Sequence, residues 1–292
     1  MRRIIKKLLG GDFLIRIKTW LAFKDNQNLK NELGQNALLK DRYIGKRCFI
    51  IGNGPSIKNI DFSKLSNEYT FSVNQLSRNP QFEKLHTNFH VWADERFFHI
   101  DEDSPEDLEL LDVMKKVNTV DNKPIVFYKY KAYEMIQKFK LDEVLDIHYF
   151  EETYLDRYMI NSWNLDFTRL VPGFSTVVHY IICLAMYMGF KEIILLGCDC
   201  TGIVSIAESR IGQAEKAAYG YSISKNEKKR MEKMQDLTSF RDEMQWWVNI
   251  FDDYSILDKY CIEHGVKLLN ATNPTLLENV TRIELDNVLA DV

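Results

Sequence analysis

No stretch of this 292-residue chain is apolar for long enough to cross a membrane. Its five cysteines, Cys48, Cys183, Cys198, Cys200 and Cys261, form no Cys-x-x-Cys pair. They read as reduced thiols, not as a disulfide framework. Cys198-x-Cys200 lacks a second Cys/His pair nearby, so a zinc site is not completed. Basic charge is not in excess: 38 Lys and Arg face 42 Asp and Glu, a formal net charge of −4. That balance argues against nucleic acid as a partner. No Gly-Lys-Ser/Thr follows a glycine turn, which excludes a P-loop. No nucleophile elbow appears either, and hydrolase readings are weak.

What is present is the composition of a globular protein, 46% hydrophobic and 27% charged, with only six prolines. The length fits one large domain or two small ones, with ample chain to bury a core. The chain is organised around residues 46–75. The apolar run Cys48 to Ile51 reads as a buried strand and stops at Gly52-Asn53-Gly54-Pro55-Ser56. A strand, a glycine turn and a proline at a first helical position form a strand–loop–helix junction. Glycines there give access to positive φ and let backbone N–H groups approach a ligand. A helix N-terminus at such a place favours anions, phosphate above all. A second strand, Tyr69 to Val73, ends in Asn74-Gln75. In an open α/β sheet both strand ends lie at the carboxyl edge, where ligands bind. The usual dinucleotide pattern fails, because Ile57 stands at the last glycine position and Asn74 replaces the ribose-binding acid.

Further strands are expected at 90–94, 124–128, 192–196 and 266–269, and helices at 177–188 and 254–264. Ser104-Pro105-Glu106-Asp107 reads as a helix cap. Residues 130–170 are aromatic-rich and mixed in period. Two helix–glycine–strand units, through Gly189 and Gly265, mark a parallel sheet. The polar residues 202–248 read as a lid-like insertion after a strand end. Seven Lys or Arg against Asp12 alone, interleaved with apolar residues, make residues 1–24 a basic amphipathic segment. It suits an anionic membrane face, or a helix packed on the domain with a solvated basic side. The expected division is therefore 1–45 for that segment and its connector, and 46–292 for the α/β catalytic domain.

Polar residues gather at the expected strand ends: Asn53 and Ser56, Asn74, Asp94, Asp199, Asn270 and Asn273. Ser175 and Thr176 open a helix aimed at the same rim. Any one of these also serves as a cap or turn former; their coincidence on one edge is the signal. Asp94 and Asp199 suit Mg²⁺, proton transfer or ribose binding, although no Asp-x-Asp motif requires a metal. Among the histidines, His99 is the best placed for acid/base work, His90 and His148 are further candidates, and His179 reads as core.

Residues 49–65 with Val73-Asn74-Gln75, and residues 189–199, resemble the two conserved blocks of the bacterial family 42 sialyltransferases. The same blocks occur in the broader group of DUF115 proteins, which includes motility-associated glycosyltransferase-like factors and an archaeal pterin pyrophosphokinase. The resemblance covers roughly residues 46–75 and 172–280. It implies a Rossmann-like, mostly parallel sheet with helices on both faces, a GT-A-like variant, carrying a lid. It also implies that Asn53, Ser56 and Asn74 line a CMP-sugar site, that the helix start at Ser175-Thr176 contributes to it, and that no metal is needed. Gly52, Gly54 and Pro55 belong to the nucleotide site on the reading of the glycine turn itself. The family's general-base histidine lies in a Tyr-x-Gly-His-Ser type stretch. Here Ala218-Tyr219-Gly220-Tyr221-Ser222 puts Tyr221 in that place, and an unperturbed tyrosine is a poor base near neutral pH.

The reading that follows is a glycosyltransferase at the cytoplasmic face of the inner membrane, using a nucleotide-activated sugar in surface polysaccharide or glycan assembly. Its donor is a CMP-linked nonulosonate-type sugar or another nucleotide sugar, and its acceptor a glycan or lipid-linked glycan. Asp94, His99 or Asp199 is the candidate base, with Tyr219 or Tyr221 assisting the leaving group. The alternatives are a Mg²⁺-dependent diphosphotransferase of the pterin pyrophosphokinase type, and a non-catalytic nucleotide-binding or interaction protein. Oligomeric state is left open by the sequence.

Overall fold

The computed structural model describes residues 21, 23–119, 123–153, 165–213, 219–233 and 239–290. Most of the basic amphipathic segment, 1–20 and 22, lies outside them, as do 214–218 and 234–238 of the lid-like insertion.

An eight-stranded sheet carries the molecule. Its strands are β1 (Arg47–Ile51), β2 (Tyr69–Val73), β3 (Phe89–Trp92), β4 (Ile125–Lys129), β5 (Asp146–Phe150), β8 (Glu192–Leu196), β9 (Lys267–Asn270) and β10 (Thr281–Arg282). The order is β10-β9-β8-β1-β2-β3-β4-β5, and every described pair is parallel. The α/β Rossmann-like architecture follows directly. Two short strands, β6 (Glu152–Thr153) and β7 (Val171–Pro172), form a separate parallel pair.

β1 shows why the centre of the sheet is apolar on both sides. Cys48 to Ile51 are all fully buried. Cys48 and Ile50 feed one core with Phe71, Val91, Ile193 and Leu195. Phe49 and Ile51 feed the other with Trp92, Val126, Ile194 and Leu196. Alternate side chains leave a strand on opposite faces, so a strand covered on both sides reads as a continuous apolar run. The helices that supply the cover are α1 (Gln27–Gly34), α2 (Pro105–Lys115), α3 (Tyr133–Lys138), α4 (Val177–Tyr187), α5 (Gly202–Arg210), α6 (Lys225–Lys233), α7 (Phe240–Glu263) and α8 (Leu285–Ala290). α4 and α7 pack into the first core, and α2 into the second.

Four expectations need adjusting. The helix after the glycine turn is a single 3₁₀ turn, Pro55–Asn59. The mixed stretch 130–170 contains α3 and the edge strand β5, whose partly exposed pattern hid its period. The last long helix begins at Phe240, with Ser239 as its cap, and not at Tyr254. The insertion 202–248 contains α5, α6 and the first turns of α7, with the described residues 211–213 and 219–224 non-helical.

The chain runs outward from β1 to β5, then returns to lay β8, β9 and β10 on the other side of β1. The reversal puts the switch point between β1 and β8, and in open parallel sheets ligands bind at the carboxyl ends beside such a point.

Candidate functional site

At the switch point two backbone turns nearly touch. Gly52 N–H donates to the Leu196 carbonyl at 2.7 Å, and Gly54 N–H donates to the Gly197 carbonyl at 2.9 Å. A Cβ on Gly52 would lie 2.5 Å from the Gly197 oxygen, and one on Gly54 would lie 1.9 Å from an Asp199 carboxylate oxygen. Gly54 has φ −65°, which any residue adopts. These glycines are therefore required for close approach, and not for the positive φ expected from sequence; the residue in left-handed geometry is their neighbour Gly197, at φ +65°.

Asp199 reaches into this contact from the end of β8. One carboxylate oxygen accepts the Ser56 N–H at 2.8 Å, and the other accepts the Ser56 hydroxyl at 2.7 Å. Asp199 is buried, and burial lifts its carboxyl above the usual range against the lowering pull of the Ser56 bonds. The helix N-terminus expected to meet a phosphate thus already holds an anion, supplied by the chain itself. Pro55 sits at the first position of that turn.

Asn53 and Asn74 stand beside each other, two residues beyond the paired Ile51 and Ser72. Asn53 donates its side-chain amide to the Val73 carbonyl at 3.4 Å. Asn74 has φ +44°, a left-handed conformation that asparagine tolerates better than most residues. The side-chain oxygens of both asparagines are buried and meet no protein donor among the described residues. A buried carbonyl oxygen left unpaired costs roughly 1–3 kcal/mol, so the pair presents two acceptors that no donor among the described residues meets.

Asn74 is held in place by His90. The imidazole is wholly buried, and burial pushes its pKa down to about 3. Its Nε2 lies 2.9 Å from the Asn74 carbonyl, and its Nδ1 lies 2.6 Å from the Ser72 hydroxyl. A carbonyl only accepts, so Nε2 carries the proton and Nδ1 accepts from Ser72. His90 is thus a neutral support for Asn74 and not the acid/base group considered from sequence. His148, part-buried and next to Asn36 at 2.9 Å, is likewise tied into the fold.

Across the edge, Asp94 caps the turn Glu95–Phe97, accepting the Arg96 N–H at 3.0 Å and pairing with its guanidinium at 2.6 Å. His99 follows, exposed to solvent. Glu95 meets Lys131 at 2.7 Å, and the buried Lys129 joins Glu152 at 3.1 Å. Nothing in their spacing marked Lys129, Glu152 and Tyr180 as one cluster, in which the Tyr180 hydroxyl donates to Glu152.

Ser175 and Thr176 open α4 at the same edge. Ser175 N–H donates to Asp253 at 2.8 Å, and the Thr176 hydroxyl lies 3.3 Å from His179 Nδ1. His179 is buried, as expected, 3.4 Å from Asp253. Asn270 is a turn former that accepts the Thr272 N–H at 3.0 Å.

The described part of the Tyr-Gly-Tyr stretch crosses the glycine turn. Gly220 N–H donates to the Asn53 carbonyl at 2.9 Å, and the Asn79 side chain donates to the Gly220 carbonyl at 2.8 Å. Tyr219 and Tyr221 stack with centroids 5.4 Å apart. Burial raises both hydroxyls, so each stays protonated at neutral pH and serves as a donor. The structure thus gathers Gly52 to Ser56, Asn74, Asp199, Tyr219 and Tyr221 at the switch point, with the Asp94 turn and the α4 start along the same edge.

A model of the family described as 6-hydroxymethylpterin diphosphokinase MptE-like matches residues 21–203. No curated protein matches the chain. Among solved structures, the Campylobacter jejuni sialyltransferase CstII in complex with the substrate analogue CMP-3FNeuAc is similar, with 20% identity, TM-score 0.45, and 82% of this chain and 86% of that chain covered. The MAf glycosyltransferase from Magnetospirillum magneticum AMB-1 is similar at 14% identity and TM-score 0.46, over 87% of this chain but 38% of that one.

Proposed function

The chain belongs to the MptE-like family, and from this premise we propose that it is a group-transfer enzyme that binds a nucleotide at the switch point and transfers a sugar from it. The observation that carries the reading is the pair of buried, unpartnered oxygens on Asn53 and Asn74. They suit the two N–H bonds of an exocyclic amino group on a nucleobase, such as the 4-amino group of the cytosine in a CMP-linked sugar. The donor's phosphate lies along the carboxyl edge between the first turn, where Ser56 N–H already holds Asp199, and the opening of α4 at Ser175 and Thr176, where Ser175 N–H holds Asp253. An acceptor hydroxyl attacks the anomeric carbon, the bond from that carbon to the phosphate oxygen breaks, and the nucleotide leaves with the electron pair. Tyr219 and Tyr221 donate hydrogen bonds to the leaving group, and Asp94 or the exposed His99 takes the acceptor's proton. The contribution is mainly positioning and charge stabilisation. Asp199 keeps the turn in shape. We place the protein at an anionic inner membrane face through residues 1–24, with a glycan or lipid-linked acceptor.

A second reading is favoured by the family's own description: diphosphate transfer from Mg²⁺-bound ATP to a pterin alcohol, with Asp94 and Asp199 on the metal. In this geometry Asp199 is engaged by Ser56 at both oxygens and so is committed to the turn, which supports the sugar reading instead.

A thermal-shift screen against CMP, UDP, GDP and ATP, each with and without Mg²⁺, separates the two, since a ligand of the folded state raises Tm with saturation. Metal-independent stabilisation by CMP that disappears in Asn74→Ala is the expected result. Stabilisation by ATP alone, and only with Mg²⁺, would replace the sugar reading with diphosphate transfer. Silence from all four would leave a protein of interaction, not catalysis.

A further inference from the structure

A buried network of charges lies behind the Tyr-Gly-Tyr stretch. Arg78, in the turn that follows β2, meets Glu109 of α2 at 2.5 Å and Glu227 of α6 at 3.5 Å. Glu227 also accepts from Arg230 at 2.7 Å and from the side-chain amide of Gln75 at 2.7 Å. Ser224 donates to Glu109 at 2.6 Å and accepts the Glu227 N–H at 3.0 Å, capping α6. The side chains of Arg78, Glu227 and Arg230 are 9%, 3% and 5% exposed. Two arginines thus balance two glutamates from three separate elements. Arg230 also lies over the Phe97 ring at 4.9 Å, beside the Asp94 turn. Outside this core, Glu106 meets Lys233 at 3.1 Å.

Surface ion pairs fix little, but a buried set resists opening because separating one partner strands an uncompensated charge. Glu227 ties α6 to Arg78 and Gln75 at the nucleotide edge, Ser224 ties its cap to Glu109 of α2, and Gln75 is the residue next to Asn74. On the other side of the stretch, Gly220 is bonded to Asn53 and Asn79.

We propose that Arg78 and Glu227 are positioning residues: they latch residues 219–233 onto the end of β2 and hold Tyr219 and Tyr221 as the roof of the nucleotide site. The latch is made by the chain without ligand, and nucleotide exchange requires it to open. This rests on the nucleotide reading above, and the test has an arm that does not.

Hydrogen exchange of the full ligand-free chain measures the latch itself. In Glu227→Gln, exchange across 219–233 rises tenfold or more while β1, β2 and β8 keep their protection. Titration with CMP, UDP, GDP and ATP then shows affinity for the bound nucleotide reduced about tenfold, with Glu227→Asp recovering part of it. Ser224→Ala loosens the same segment without stranding a buried charge, and decides the matter if Glu227→Gln does not fold. Unchanged exchange across 219–233 in Ser224→Ala and Glu227→Gln would overturn the latch. Faster exchange with unchanged nucleotide affinity would overturn its positioning role. A wild-type chain that binds none of the four nucleotides removes the roof function, and the ligand-free exchange still tells whether the latch exists.

Discussion

Gly54 has no room for a methyl group. Its backbone angles are ordinary, yet an added Cβ would sit 1.9 Å from Asp199 and 2.6 Å from the Gly197 carbonyl. Overpacking of this kind costs about 1–3 kcal/mol, more when backbone must move. Gly54→Ala is expected to lose at least ~2 kcal/mol in urea unfolding and to abolish the CMP-dependent shift. A loss below about 0.5 kcal/mol would mean that the turn relaxes freely. His90 gives a pH signature. Its ring titrates near 6.5 when unfolded and near 3 when folded, so the unfolded chain gains a proton that the folded chain refuses. The stability it contributes is complete above about pH 6.5 and falls as pH drops through the window from 6.5 to 3, by up to ~1.4 kcal/mol per unit. Between pH 7.5 and 5.5 the wild type should lose about 1 kcal/mol more than His90→Gln. Parallel losses in the two proteins would contradict the buried neutral ring.

Among the elements, the unit α4–Gly189–β8 shows what a local signal can achieve. Gly189 has φ +93°, and a Cβ there would meet Ile44 and Asp41 at 3.1–3.2 Å. Gly189→Ala therefore strains the backbone and crowds the packing, for an expected loss above about 1 kcal/mol by chemical denaturation. A neutral result would show that the turn can adopt another conformation. Both the helix and the strand were legible because an apolar helical run, a glycine and a β-rich run follow one another within about 20 residues of sequence. β5 was not, since it is an edge strand with three partly or fully exposed positions and no clean alternation. α6 was legible only as a charge run; Glu227 and Arg230 look like solvated residues in sequence and prove to be buried.

At the scale of the whole molecule, the parallel order with β1 beside β8 makes one edge hold every residue singled out by strand ends. Of the candidate site, the glycine turn, Asn53 and Asn74 were legible because each sits next to a recognisable strand or glycine, whereas the tyrosines were picked out through the family resemblance. Lys129, Glu152 and the Arg78 network were missed because their partners come from distant parts of the chain, as far as 152 residues away for Gln75 and Glu227. The membrane contact proposed for residues 1–24 is tested at this scale. A chain lacking residues 1–20 should keep its nucleotide-dependent Tm shift and lose cosedimentation with vesicles rich in anionic lipid, as expected for a polybasic, apolar segment. Equal sedimentation of both chains would assign residues 1–24 a packing role instead.

The sequence by itself determined six of the eight sheet strands, the glycine turn, the helix–glycine–strand units and hence a parallel α/β sheet, because periodicity and turn chemistry act over a few neighbouring residues. Only the tertiary structure decided what those features do. It brought Asp199 across 143 residues to occupy the turn that awaited an anion, made the glycines a matter of space instead of φ, and buried the charges of α6 against Arg78. Such contacts depend on which elements the fold sets side by side, and no local pattern encodes that.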